Sequence, residues 1–438
     1  MTTIAAVPTL RTLGIFGRPF SEVPEYLRAI SREHGPIVKF SNPLTTYYFI
    51  DDAHYAEELF VSKSPSFMKG RGTQRLKALL GDGLLTAVQP EHLKNRRLVQ
   101  PAFHRSRIDA FGDVIVDYTR RRVESWKPGA TIDVHHETMQ LALDIVARTL
   151  FGSDLTSEKQ AISDALDDAL EVFPLMLMPF SELIENLPLP PILRFKRARR
   201  ELDRVVYDMM HKRRAEGVDG GDLLSMLLNA EEDGAGFTDV QVHDEALTIL
   251  LAGHETTANA LAWTFYLLQR NPDIEARLLA HLGEVLGDRD PVLEDFPKLD
   301  YVRAVASEAM RVYPPAWLTG RRALEDTTIG GHPIRKGEIV LVSQYVTHRN
   351  PRYWDAPDRF DPERWMDGPP KEKFAYFPFG GGNRLCIGER FAWLELVFAI
   401  ATIVRRVRFE RIDALDIEPE PLVTMRPKSP VFARVMAR

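Results

Sequence analysis

The pattern of apolar and polar positions along the chain predicts a protein built mainly from helices. From Pro19 to Phe60 it reads helix, strand, strand, helix. Ile37-Val38-Lys39-Phe40 and Tyr47-Tyr48-Phe49-Ile50 flank Ser41-Asn42-Pro43 as a hairpin. Ser64 to Pro90 carries four glycines and no period, and reads as a long irregular segment, a kind that is commonly functional. A helix opens at Glu91 and leads to Pro101-Ala102-Phe103-His104. Helical periodicity then holds from Arg105 to about Gly217. It is interrupted by the apolar, proline-rich stretches 172–180 and 187–193, where the prolines are expected to stop helices and leave a lid-like connection.

The most helix-like stretch follows. Thr238-Asp239-Val240-Gln241 forms a capping box, with Phe237 and Val242 placed as a hydrophobic staple. The helix can run to Arg270 before Asn271-Pro272 ends it. About thirty residues at ~1.5 Å each span on the order of 45 Å, enough to cross a whole domain. Apolar on most sides around Leu247 to Leu251, such a helix must be buried. Further helices read over Asp273–Gly287 and Tyr301–Tyr313, the second stopped by Pro314-Pro315. Gly337 to Val342 reads as a strand, 350–377 as an aromatic meander, Gly388 to Val397 as an amphipathic helix, and Arg408 to Arg438 as short strands. The expected fold class is α+β, mainly α with a small β region. Residues 1–438 read as one domain, with 1–20 loosely attached.

Composition narrows the picture in a few places. A net charge of −6 argues against a nucleic-acid binder. The N-terminus lacks the run of about 20 apolar residues that a membrane span needs. No secretory signal is evident either, so a soluble cytoplasmic protein is expected. The chain has one cysteine, Cys386, which excludes an internal disulfide and leaves packing, nucleophile or metal ligand as its role.

Cys386 lies in Phe379-Gly380-Gly381-Gly382-Asn383-Arg384-Leu385-Cys386-Ile387-Gly388, just ahead of a helix N-terminus, where the helix dipole favours a thiolate. Glycines let the backbone approach a flat partner. Three other groupings stand out. Ala252-Gly253-His254-Glu255-Thr256-Thr257 places polar groups inside the long buried helix, and alone reads equally well as a kink. Glu308 and Arg311 lie one turn apart and, as a lone match, would be an ordinary ion pair. His92 and Arg96 share a helical face and by spacing alone form a solvated basic turn.

Taken together, these motifs resemble the cytochrome P450 family, the haem-thiolate monooxygenases. F-G-x-G-x-R-x-C-x-G is similar to its haem-binding signature, A-G-x-E-T-T to its oxygen-activation motif, and Glu308-x-x-Arg311 with Pro362-Glu363-Arg364-Trp365 to its structural network. The resemblance covers roughly residues 20 to 435 and implies the P450 fold, with the long helix over a haem b. It makes Cys386 the axial iron ligand, and Glu255 and Thr256 the acid–alcohol pair that relays protons during dioxygen cleavage. His92, Arg96, Arg321 and Arg384 would bind the haem propionates, with Arg322 the competitor of Arg321. Phe379, Gly380 and Ala252 would line the cofactor. Arg364 would close the Glu308–Arg311 network, Trp365 standing where the family usually has Phe.

The implied activity is insertion of one atom of O2 into a lipophilic substrate such as a terpenoid, carotenoid or fatty acid. Leu251, Ala252, Trp317 and Leu318 are pocket candidates. Electrons would come from a separate ferredoxin or flavodoxin with its NAD(P)H reductase, docked near Lys94, Arg97 and Arg390, and the protein would be a monomer. A peroxide-driven peroxygenase and a non-enzymatic haem sensor or carrier are the alternatives, both disfavoured by the acid–alcohol pair. A cysteine hydrolase would need a His near Cys386 that nothing in the sequence singles out.

Overall fold

The computed structural model describes residues 5–6, 18–41, 45–153, 158–177, 181, 185, 187–217, 220–232, 235–413 and 415–438. Helix α1 (Val23–His34) is followed by strands β1 (Ile37–Ser41) and β2 (Thr46–Ile50), paired antiparallel as the hairpin pattern predicts. The segment read as irregular contains β3 (Phe67–Lys69) and two short helices over 71–80. Elements this short show no period, so sequence patterning misses them. Most of 1–20 lies outside the described residues, and within it Ala5–Ala6 pairs parallel with β1.

Next come α2 (Glu91–Val99), α3 (Gly112–Ser125), the short strand β4 (Thr131–Asp133), α4 (Val134–Phe151), α5 (Lys159–Glu171) and α6 (Pro190–Glu216). The long helices are interrupted at the proline-rich stretches as expected, α5 ending at Glu171 and α6 beginning at Pro190, and two of the prolines also open helices. Pro190 is the first residue of α6, and Pro174 sits in the opening turn of the short helix Phe173–Leu177. Proline lacks only an N–H that the first turn leaves unpaired anyway, and its φ is already helical. Met178, Pro179 and Phe180 of the expected lid lie outside the described residues.

Helix α7 (Asp239–Arg270) begins at the expected capping box, with both Thr238 and Gln241 bonds made. It is buried along most of its length and packs most extensively against α4. Among the elements that follow are α8 (Asp300–Val312), β5 (Thr319–Ala323), β6 (Ile339–Val342), α9 (Glu389–Arg406), β7 (Val407–Arg411), β8 (Pro419–Pro421), β9 (Met425–Pro427) and β10 (Phe432–Ala437). The main sheet runs Ala5–Ala6, β1, β2, β6, β5, β3, while β7, β10 and β4 form a second sheet and β8 and β9 a hairpin. The architecture is mainly helical with small sheets, the α+β class expected. Among the described residues no helix is long and apolar enough to cross a membrane.

One buried ionic network ties α8 to the meander. Glu308 and Arg311 have no exposed surface and share two bonds of 2.8 Å. Glu308 also accepts from Arg364 (3.0 Å), from the Asp361 N–H (2.9 Å) and from Trp365 Nε1 (2.9 Å). Arg311 spends its remaining hydrogens on the carbonyls of His348, Pro357 and Arg359. The departure from Phe at position 365 thus supplies a donor that Phe lacks. Burying this pair is tolerable only because both partners are saturated. Glu308→Ala should therefore destabilise the fold by about 3–5 kcal/mol, and Trp365→Phe by only about 1 kcal/mol, both read from denaturant midpoints.

Candidate active site

The glycine loop before α9 has a specific backbone path. Gly382 has a φ of 66°, and a Cβ there would collide with the carbonyl oxygen of Phe60. Only glycine satisfies both conditions. The chain then turns so that the Cys386 N–H bonds the Phe379 carbonyl at 3.0 Å, and Phe379 packs edge-on against Trp393 of α9. Arg384 donates to the Ala87 carbonyl and Arg96 of α2 to the Leu385 carbonyl, both at 2.8 Å, clasping the loop from two sides.

Cys386 keeps exposed surface, yet the enclosure around it pushes its thiol pKa up by desolvation. The Gly388 N–H, Arg96 and Lys69 pull the other way. A second accessible face lies at the middle of α7. There Ala252 is exposed and Gly253 and Thr256 partly so, in a helix otherwise buried. Ala252 and Thr256 are four residues apart and share this face, while Leu251 is buried beside it.

Around the cysteine loop the structure gathers five basic side chains. Arg321 is buried on β5, and Arg322, the next residue, points outward, as strand alternation requires. Lys69 of β3 stands directly across from Arg321 in the antiparallel register. Like charges in that relation repel. His92 is buried on α2, and Arg96 and Arg384 are half-buried. Among the described residues none of the five has a carboxylate partner, and every shift reports the deficit. Desolvation, then Arg384, bring Arg321 down to about 9. Desolvation, then Arg96, bring Arg384 down to about 10. Burial with Arg321 and Arg384 nearby drives Lys69 well down, and burial followed by four neighbouring cations brings His92 down to about 3. The donor set fits a planar ligand carrying two carboxylates at one edge.

The acid–alcohol pair is adjacent in sequence but not in its bonding. Thr256 Oγ1 donates to the Ala252 carbonyl at 2.6 Å. Glu255 is buried on another face of α7 and accepts from Thr424 Oγ1 at 2.6 Å. Burial raises the Glu255 pKa to about 7, with Thr424 and Arg426 opposing.

A family model for cytochrome P450 matches residues 8–433. The chain belongs to the cytochrome P450 family. Similar curated proteins include Cyclooctatin synthase of Streptomyces melanosporofaciens, 37% identical over 90% of this chain and 87% of the relative. Cyclooctat-9-en-7-ol 5-monooxygenase of the same organism is 35% identical over 94% of this chain and 90% of its own length. Pentalenene oxygenase of Streptomyces avermitilis is 32% identical over 92% and 91%. The chain is thus a P450 monooxygenase, of a family that uses a haem held by a cysteine thiolate, dioxygen and separate electron donors.

Several sequence candidates find different surroundings in this P450. Trp317 is 3% exposed, donates Nε1–H to the Leu422 carbonyl at 3.0 Å and packs with Phe20, Leu27, Phe40 and Tyr345. Leu318 packs against the same cluster. That packing leaves Trp317 no surface for a substrate, so it is removed from the pocket set. Arg390, offered as a docking charge, is paired with Asp109. Lys69 has no motif, and only strand pairing brings it to the site. Thr424 likewise becomes visible only in three dimensions.

Replacing Lys69 with Met should act in opposite directions on the two forms of the protein. Removing an uncompensated, partly buried cation should raise the melting temperature of the haem-free protein. Loss of a charged partner should weaken haem binding by about tenfold or more, measured by haem transfer to a competing apoprotein.

Proposed function

We propose that residues 1–438 act as a single catalytic domain that hydroxylates or epoxidises a terpenoid-like hydrocarbon. The observation that carries the reading is the cluster of Lys69, His92, Arg96, Arg321 and Arg384, without carboxylate partners, around the Cys386 loop. Cys386 would hold haem b through its thiolate, and the cluster would bind the propionates. Phe379, Gly380 and Ala252 would line the cofactor. When bound, haem supplies the reductive activation of dioxygen and the transfer of one oxygen atom to carbon.

The protein's own groups then have separate tasks. Burial raises the Cys386 pKa, and the Gly388 N–H, Arg96 and Lys69 are the groups that favour its thiolate against that burial. Oxygen insertion with reduction of the second oxygen atom to water consumes two protons and two electrons. Glu255, raised to about 7 by its burial, is poised to hold a proton near neutral pH and give it up. Thr256 offers a hydroxyl on the accessible face of α7.

The substrate class is supported by the names of the relatives, which act on cyclooctat-9-en-7-ol and pentalenene or form cyclooctatin. It is supported as well by the apolar entrance to α6, where Leu187, Leu189 and Leu193 are exposed. Leu251, Ala252 and Leu318 are the pocket candidates that stay. A separate ferredoxin or flavodoxin delivers electrons at the Lys94 and Arg97 face, and the protein works as a cytoplasmic monomer.

Cys386→Ser should abolish the red-shifted CO band of thiolate-bound ferrous haem while the protein still folds. An unchanged band would refute the ligand assignment. Thr256→Ala should lower product formed per NAD(P)H consumed by about tenfold or more, and full coupling would remove Thr256 from the proton path. Polycyclic terpene alcohols should shift the haem absorption band at micromolar concentration, where fatty acids and carotenoids should not.

A further inference from the structure

Glu255 is held by more than one bond. Thr424 lies between β8 and β9 and donates Oγ1–H to Glu255 Oε1 at 2.6 Å. Asn259, one helical turn beyond Glu255, donates Nδ2–H to Thr424 Oγ1 at 3.0 Å. Its amide oxygen lies 2.9 Å from Nε2 of His135 on α4. The directions are linked. A threonine has one hydroxyl hydrogen, and an ionised carboxylate claims it. Thr424 can then only accept from Asn259, which turns the amide oxygen toward His135 and requires a hydrogen on Nε2. Thr424 and Asn259 are buried, whereas His135 is only partly so.

We propose that Thr424 is the positioning residue for Glu255, and that Thr424, Asn259 and His135 form a donor chain setting the charge state of this acid from outside the haem pocket. The proposal rests on the reading of Glu255 as the acid of the proton path. All three hydrogens point toward Glu255, so the chain favours the carboxylate and opposes the burial that favours the neutral acid. The other charged groups facing the helix here are few. Arg426 of β9 lowers the Glu255 pKa and Asp167 of α5 raises it. Arg426 is itself bound to Asp167 at 2.9 Å and to Glu420 of β8 at 2.8 Å, which blunts its influence. Burial lowers the His135 pKa, with Asp133, the Asn259 bond and Asp167 opposing. His254 is spent on the Met139 carbonyl at 2.9 Å, and the pKa of Glu395 of α9, bonded to Thr257, is pushed well up by burial.

The test is infrared titration of the holoenzyme, with the Glu255 carboxyl band identified by its loss in Glu255→Gln. Thr424→Val should raise the midpoint of that band by about one pH unit, and Thr424→Ser should restore it. His135→Phe should move it in the same direction by less. The pH dependence of product formed per NAD(P)H should shift with the band. A midpoint unchanged in Thr424→Val, with the haem spectrum intact, overturns the proposal. Should that variant fail to take up haem, an unchanged midpoint in His135→Phe overturns it instead. A band that moves while the coupling profile stays put leaves the donor chain standing and refutes the role of Glu255 in proton delivery.

Discussion

Positive charge that the protein does not neutralise for itself is the constraint on which the site depends. Lys69 and Arg321 face each other across two strands, with His92, Arg96 and Arg384 close by, and no carboxylate of the described chain answers them. Such a cluster is unfavourable in a low-dielectric setting unless the surrounding fold holds it in place. The holding is visible element by element. The main sheet fixes Lys69 against Arg321, α2 carries His92 and Arg96, and the Gly382 contact with Phe60 seats the loop that carries Arg384. Stability has been given up locally where positive charge is left unanswered, a trade common at binding sites.

The contrast with the Glu308 network is instructive. Both places bury guanidinium groups, yet Arg311 is saturated by Glu308 and three carbonyls while Arg321 donates to little more than the Gly320 carbonyl. A saturated pair contributes order to the meander and no affinity for anything outside it. An unsaturated one contributes affinity. The same residue type is therefore saturated in one place and available to a ligand in the other, and the difference lies in what its neighbours leave unpaired.

Long periodic segments carry most of the fold in a form the sequence makes legible. Helix α7, its capping box and the β1–β2 hairpin follow from patterning, because tertiary packing agrees there with local preference. The short elements over 67–80 do not, since three to five residues cannot display a period. The prolines at 174 and 190 mark the break between long helices and also open helices themselves, because the same ring that breaks a helix interior is harmless in a first turn. Within the site, residues on a motif are legible, as with Cys386 and the Glu255-Thr256 pair. Lys69, Thr424 and His135 are not, because each reaches the site through pairing with a segment far away in the chain. Trp317 errs in the opposite sense, since an aromatic residue beside a motif looks like a pocket wall and is in fact packing.

The hairpin of β8 and β9 also sets an order of assembly. Its carbonyls at Leu422 and Met425 receive the indole hydrogens of Trp317 and Trp263, and between them Thr424 reaches Glu255 across a separation of 169 residues. A ribosome completes the long central helix well before it reaches the hairpin. During that interval the Glu255 carboxyl has no threonine to receive from and both tryptophans lack their acceptors. The acid is therefore among the last groups of the molecule to be tuned, and a nascent chain that can already bury its helices cannot yet set the proton affinity of Glu255.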